Sequence, residues 1–156
     1  MFRPRRLRKN EMIRSMVREN HLSVNDFIYP LFVEEGENVK KEIATMPSVF
    51  RYSLDQLDTE LKEIVELGIP SIMLFGIPKH KDETGRESWN DKAVVQTAIR
   101  YIKKNYPQLY VIADVCFCEY TSHGHCGPLV PSAGAKDGMD VDNDQTLTNL
   151  EKQSIS

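Results

Sequence analysis

The sequence contains no apolar run long enough to cross a bilayer, which takes about 20 residues, and its first ten residues, MFRPRRLRKN, are charged where a signal peptide would be apolar. It also lacks an excess of basic residues: 20 basic against 23 acidic side chains give a net charge of −3 and a pI near 5.8. A general nucleic-acid binder needs a basic surface to neutralise phosphates. We therefore expect a cytoplasmic protein that binds neither nucleic acid nor a membrane.

Two further features are scarce. No glycine-rich phosphate loop follows any apolar segment, which weakens a nucleotide-binding interpretation. There are only three cysteines, an odd number without a secretory context, so a disulfide framework is not expected.

The length is also limiting, because 156 residues cannot close a (β/α)₈ barrel, which takes roughly 250 residues and at least about 200. A barrel pattern in this sequence would mean that the chain is incomplete.

The basic residues are concentrated at the N-terminus, where residues 1–9 carry five arginines and lysines and no acid. We interpret residues 1–26 as an arm with a short helix capped by Asn10, and residues 27–156 as the main domain. The arm could be a tail for nucleic acid or a membrane surface. We favour the simpler alternative, an arm that docks on an acidic surface of its own oligomer or is solvated, since five charges alone bind weakly.

Short apolar strands alternate with amphipathic helices along the main domain, which predicts parallel strands and an α/β fold. One helix should begin at Ser53, in a capping box with Gln56, and end at Gly68. A second should be capped by Asn90 or Asp91 and end before Pro107. The predicted strands are Phe27 to Val33, Ser71 to Phe75 and Leu109 to Val115, with room for two short strands in 34–52.

Three such strands fit either a doubly wound sheet or an arc of a barrel, and periodicity alone does not decide between them. A long loop from Cys116 to about Val141 should follow the third strand, and loops of that length are usually functional or disordered. A final helix is expected near Asp144 to Ile155. It carries no stop signal at its end, which indicates a cut element.

All three cysteines, Cys116, Cys118 and Cys126, lie in the segment DVCFCEYTSHGHCG directly after the third strand. The carboxyl ends of parallel strands are where sites assemble. Small buried side chains are the simpler alternative. Three thiolates suit zinc and leave a fourth position for water or substrate, although His123 or His125 could fill it and close a structural site.

Two neighbours complete the candidate site. Asp114 lies two residues before Cys116, so it should share that face of the strand, although it could equally be a loop or helix cap. His125 adjoins Cys126 and could relay protons, but a lone histidine is more often structural.

This segment, together with five others in the same order along the chain, resembles the porphobilinogen synthases, also called δ-aminolevulinic acid dehydratases. The other segments are RPRRLR at 3–8, FIYPLFV at 27–33, MPSVFRYSLDQL at 46–57, LGIPSIMLFG at 67–76 and VDND at 141–144.

The resemblance implies a zinc-dependent hydro-lyase that condenses two molecules of 5-aminolevulinate into porphobilinogen, with loss of water, in haem and tetrapyrrole biosynthesis. It implies the N-terminal arm and about the first three βα units of a TIM (β/α)₈ barrel, and a homo-octamer whose arms embrace neighbouring subunits. Cys116, Cys118 and Cys126 match the zinc ligands, and Asp114 and His125 match active-site residues. Magnesium is a further expected ion, in an allosteric role. Phe75 could line the pocket, although we favour a core position.

The sequence departs from the family pattern in its lysines. The resemblance implies lysines that form Schiff bases with substrate on later strands, but all eleven lysines of this sequence fall on predicted loops, the arm or helices. We therefore expect this chain alone to be inactive. The alternative is a non-catalytic truncated homologue that serves as a zinc-binding or interaction module. A different lyase on the same scaffold is a third possibility, since fold does not fix function.

Overall fold

The structure, a computed structural model, describes residues 5–131 and 139–141. This part of the chain contains the α-helices α1 (Glu11–Met16), α2 (Leu57–Glu66) and α3 (Val94–Asn105). Short 3₁₀ helices lie at Arg6–Arg8, Val24–Asp26, Leu54–Gln56 and Arg86–Trp89. The final helix expected near Asp144 to Ile155 lies outside the described residues.

The strands form a five-stranded sheet in the order β2-β3-β1-β4-β5 and a separate β6-β7 hairpin. Their bounds are β1 Ile28–Glu34, β2 Lys40–Ile43, β3 Met46–Tyr52, β4 Ser71–Ile77, β5 Tyr110–Ala113, β6 Leu129–Pro131 and β7 Met139–Val141. Strands β1, β4 and β5 are parallel neighbours, and β3 is parallel to the end of β1. The antiparallel β2-β3 hairpin provides the two short strands expected between 34 and 52.

Helix α2 ends as the sequence predicts. Gly68 adopts a left-handed conformation with φ of 74°, its amide donates to Val65 O, and the Ile69 amide donates to Ile64 O. These two bonds are the Schellman motif, which glycine favours because it has no Cβ. The predicted start is wrong: a 3₁₀ turn precedes α2, and the Ser53 hydroxyl binds the Val39 amide and Asp55 instead of capping the helix.

The predicted cap of α3 is also wrong. The capping residue is Ala93, which has no side-chain acceptor. Asn90 instead accepts a hydrogen bond from the Lys92 amide and begins a turn that Ala93 N closes on Asn90 O. Local side-chain bonding of this kind competes with helix capping. At the arm, in contrast, the prediction is confirmed: Asn10 Oδ1 accepts from the Ile13 amide and caps α1.

The core lies between the sheet and helices α2 and α3. Because side chains alternate along a strand, one face of β1 and β4 contributes Leu31, Val33, Ile72 and Leu74, all buried against the helices. The other face carries Phe32 and Phe75, whose rings stack 5.1 Å apart. In the described part of the chain no helix has both the length and the apolar character of a membrane span.

Two carboxylates of α2 fasten this helix to its surroundings. The hydroxyls of Tyr101 and Tyr106 donate to Asp58 Oδ1 over 2.6 and 3.0 Å, and those of Tyr29 and Tyr52 donate to Glu60. The first pair ties α2 to α3 and its C-terminal cap, and the second ties it to strands β1 and β3. These hydrogen bonds thereby fix the position of α2 relative to α3, β1 and β3.

Candidate metal centre

The three cysteines converge on one point although the local geometry differs from the expected one. Strand β5 ends at Ala113, so Cys116 and Cys118 do not lie on an extended strand as we assumed. The chain instead turns at Phe117, whose carbonyl accepts from the amides of Tyr120 and Thr121. The Cys126 Sγ then lies 3.1 Å from Cys116 Sγ and 2.8 Å from Cys118 Sγ.

Phe117 explains how two ligands separated by one residue face the same way. Its side chain is 1% exposed and packs edge-on against Trp89, with ring centroids 6.4 Å apart. Cys116 and Cys118 flank this anchor and remain only partly buried. Burial of Phe117 therefore leaves both thiols at the accessible side of the loop.

Hydrogen bonds among the three thiols, together with burial, give them different pKa values. Hydrogen bonds from Cys118 and Cys116 lower the pKa of Cys126. The hydrogen bond with Cys126 raises the pKa of Cys118, and burial raises that of Cys116. Cys126 is thus the first thiolate of the group, and thiolates are the form that binds metals.

The donor set fits zinc. The three sulfurs lie within 4.8 Å of one another, so one ion can contact them all, and zinc accepts sulfur ligands in tetrahedral sites. Three protein ligands leave one position for water or substrate, which is typical of catalytic zinc.

Carboxylates lie beside the thiols. Asp114 follows β5, where its amide donates to Leu74 O, and ligand atoms of Asp114, Cys116 and Glu119 lie within 4.8 Å of one another. Burial raises the pKa of Glu119. Our sequence reasoning missed Glu119, because it assumed a strand; in a turn, residue i+3 returns to residue i, which brings Glu119 to Cys116.

The histidines lie at the other end of the loop. The rings of His123 and His125 are 5.7 Å apart at an angle of 29°, His123 Nε2 lies 3.2 Å from Glu83 O, and the His125 amide contacts His123 Nδ1. Within the described residues, two groups of side chains could hold a metal ion: the three cysteines, and Asp114 with Cys116 and Glu119. Neither group includes a histidine.

A cavity of about 490 Å³ opens next to this centre, on the sheet face that carries Phe32 and Phe75. Glu119 lines it, together with Arg51, which is paired with Glu34 at 3.0 Å. Phe75 is half-buried and lines the cavity, so it is not confined to the core as we favoured. Lys41 also lines it from the exposed strand β2, where Lys40 lies too, so these two lysines are on a strand and not on a loop as predicted.

The chain is similar to known proteins over its whole length. A sequence model of the family "Delta-aminolevulinic acid dehydratase" matches residues 1–156. The enzyme of that name from Ruminiclostridium josui is 49% identical over 154 residues, which is 99% of this chain and 72% of the relative. Those from Halalkalibacterium halodurans and Synechococcus elongatus are 49% and 51% identical, again over 99% of this chain but 45% and 46% of theirs.

Among solved structures, the delta-aminolevulinic acid dehydratase of Toxoplasma gondii, crystallised with its reaction product porphobilinogen, superposes with a TM-score of 0.88 at 35% identity. The match covers 99% of this chain and 43% of that one. The predicted fold class, the N-terminal part of a TIM barrel, is thereby confirmed. This chain spans about half the length of most of these relatives and belongs to the delta-aminolevulinic acid dehydratase family.

Proposed function

We propose that the full-length protein is a porphobilinogen synthase, which condenses two molecules of 5-aminolevulinate with loss of water, and that its metal is zinc bound by Cys116, Cys118 and Cys126. The observation that carries this proposal is the convergence of three thiols beside Asp114 at the carboxyl end of a parallel sheet. The same centre adjoins a cavity with aromatic walls and charged side chains, as a small polar substrate requires.

Zinc would act as a Lewis acid that polarises a substrate oxygen or nitrogen. The residues of this chain have separate tasks. Asp114 accepts or returns a proton at the substrate, and His125 assists proton transfer at the outer side of the loop. The stacked rings of Phe32 and Phe75 exclude water from one wall. The Schiff-base lysines that the family resemblance implies match no position in this chain and belong to the rest of the barrel.

The test is an assay of the full-length gene product for porphobilinogen formation from 5-aminolevulinate, with and without a chelator. We expect product in the untreated enzyme, loss of activity with the chelator and recovery on adding Zn²⁺. Absence of product would contradict the proposed reaction. Activity that the chelator leaves intact would contradict the role of the metal. Further stimulation of the Zn²⁺-restored enzyme by Mg²⁺ would support an allosteric role for that ion.

The arm supports an oligomer. Its apolar side chains Leu7, Met12, Met16 and Leu22 are each 60% to 79% exposed, so they are available for burial against another subunit. We propose that the arm packs on a neighbouring subunit in a cytoplasmic homo-octamer. Removing residues 1–26, the whole arm, should lower the number of subunits per assembly in sedimentation velocity, and an unchanged number would exclude this role.

A zinc-binding module without catalysis is the second candidate, because the complete thiol cluster lies within this chain. The coding sequence after codon 156 separates the two. An open frame with lysines at apolar strand ends favours the enzyme, and a stop codon favours the module.

A further inference from the structure

We propose that Asp82 is a positioning residue for the thiol cluster. It lies in the loop after β4 (residues 78–93) and holds the cysteine loop (residues 116–126) in the conformation that brings Cys118 and Cys126 together. The proposal deepens the proposed metal site and rests on it. Asp82 contacts none of the three thiols, so it acts only through the polypeptide that carries them.

The Asp82 carboxylate first organises its own loop. Its Oδ1 accepts hydrogen bonds from the Thr84 amide at 2.9 Å, the Thr84 hydroxyl at 3.1 Å and the Arg86 amide at 3.2 Å. Burial alone would raise its pKa, but the amide bonds from Arg86 and Thr84 outweigh burial and lower the pKa of Asp82. One oxygen atom therefore fixes residues 82–86 as a compact turn.

The main chain of the same residue joins the cysteine loop. The Asp82 amide donates to Tyr120 O at 3.3 Å, and the Ser122 amide donates to Asp82 O at 2.9 Å. These two bonds pair Asp82 with Thr121 as a parallel β-bridge. Thr121 is 1% exposed and lies between Cys118 and Cys126 in the sequence. The bridge therefore attaches the cysteine loop to Asp82 near the middle of that loop.

Thr121 also restrains the segment that carries Cys126. Its hydroxyl donates to His125 O over 2.8 Å, and His125 directly precedes Cys126. Hydrogen bonds thus connect Asp82 with Tyr120 and Ser122, the two neighbours of Thr121, and connect Thr121 with the peptide next to Cys126. Removing the carboxylate loosens the first of these connections.

Close packing between the two loops supports the same conclusion. Gly85 has a φ of 68°, and a Cβ there would lie 3.4 Å from Phe117, Tyr120 and Thr121. Asp82 Oδ1 accepts hydrogen bonds from Thr84 and Arg86, the residues on either side of Gly85. The turn that the carboxylate fixes is therefore the surface on which the cysteine loop rests.

The experiment is a Co²⁺ titration of the 156-residue chain, monitored by thiolate-to-cobalt charge-transfer absorption. Residues that orient metal ligands typically contribute about 10- to 100-fold to metal affinity, and since Asp82 acts indirectly we expect Asp82→Ala to bind Co²⁺ about tenfold more weakly. Asp82→Asn keeps the Oδ1 acceptor and should restore most of the affinity. The Arg86 ion pair at 3.8 Å is exposed and contributes little. Asp91→Ala, at an exposed aspartate of the same loop, is the matched control and should bind as the unmodified chain does.

A metal-free measurement separates this proposal from the metal site itself. Phenylarsine oxide binds two thiols at once and binds more tightly when they are held close together, so Asp82→Ala should bind it more weakly before any metal is added. Unchanged Co²⁺ affinity and unchanged arsenical binding would overturn the role of Asp82 and leave the metal site standing. An unmodified chain without cobalt charge transfer, but with arsenical binding that Asp82→Ala weakens, would reject the metal site and support the positioning role.

Circular dichroism checks that each variant is folded. If Asp82→Ala unfolds, Asp82→Glu replaces it, because that variant keeps the charge and displaces the acceptor by one methylene. Weaker Co²⁺ binding by a folded Asp82→Glu supports the proposal. Full affinity in that variant contradicts it.

Discussion

The hydroxyl of Tyr120 lies directly against Gly76, so the cysteine loop is seated on the end of strand β4 at a position that has no room for a side chain. A Cβ at Gly76 would lie 2.5 Å from Val95 Cγ2 and closer still to the Tyr120 hydroxyl. Burial raises the pKa of Tyr120, which keeps the phenol neutral in this contact. The strand, helix α3 and the cysteine loop therefore meet at one glycine.

Gly76→Ala should destabilise the protein, because a methyl group must displace Tyr120 or Val95. Overpacking of this kind costs about 1 to 3 kcal/mol, measurable by urea denaturation. Gly124→Ala is the control, since a Cβ there meets no atom within 4 Å and only its left-handed backbone opposes the substitution. No loss of stability in Gly76→Ala would show that the Tyr120 contact relaxes freely.

Cys118→Ala should abolish most zinc binding, because it removes the thiol that lies closest to Cys126. We expect elemental analysis of the purified chain to show stoichiometric zinc before the substitution and little after it. Ser122→Ala, at an exposed position of the same loop, should retain the metal. Unchanged zinc content in Cys118→Ala would contradict the proposed centre.

Zinc binding should change the fluorescence of Trp89, the single tryptophan in the sequence. Its ring packs on Phe117 between two of the proposed ligands, so a shift of the loop on binding reaches the indole. Titration of the metal-free chain with Zn²⁺ under selective tryptophan excitation measures the change. The same response in Cys118→Ala would place the bound zinc elsewhere.

Tyr101 and Tyr106 donate hydrogen bonds to Asp58 of α2, and the stability that these bonds provide should fall in both strong acid and strong alkali. Hydrogen bonds from Tyr101 and Tyr106 lower the pKa of Asp58 from 3.8, so its contribution is present above that value and is lost as pH falls through the lowered pKa. The bond to Asp58 and burial raise the pKa of Tyr101 from 10.0 to about 12. The contribution of this phenol is complete below pH 10.0 and is lost as pH rises towards about 12.

Tyr101→Phe should accordingly cost about 1 kcal/mol near neutral pH, and the difference from the unmodified chain should shrink in strong alkali and strong acid. Urea denaturation across the pH range measures it. Tyr110→Phe provides the comparison, because Tyr110 is 67% exposed and its loss should matter little at any pH. A pH-independent difference for Tyr101→Phe would rule out ionisation as the cause.

Local sequence signals predicted the elements whose determinants are themselves local. The apolar runs of β1, β4 and β5 and the glycine after α2 all lie within single segments, and the structure confirms them. The predicted cap of α3 was wrong because the Asn90 side chain could accept from either a helix amide or the amide of Lys92. Only the surrounding packing decides between these two partners. The position of β3 beside β1 depends on contacts between distant segments, so periodicity could not provide it.

The candidate site divides in the same way. The spacing of the cysteines predicted their convergence, which the structure shows. The approach of Glu119 to Cys116 required knowledge that the chain turns at Phe117, and a strand assumption hides it. The contact between Asp82 and the cysteine loop joins positions about forty residues apart. Neither segment contains a motif from which this contact could be predicted.

The thiol cluster spans only residues 116 to 126, so it is a structure of low contact order. The entropy lost when a flexible segment closes on itself grows with its length, and a segment this short brings its ends together at small cost. Closure of the cluster therefore costs little conformational entropy. During synthesis on a ribosome, the cluster can form as soon as this segment and the loop that supports it have emerged.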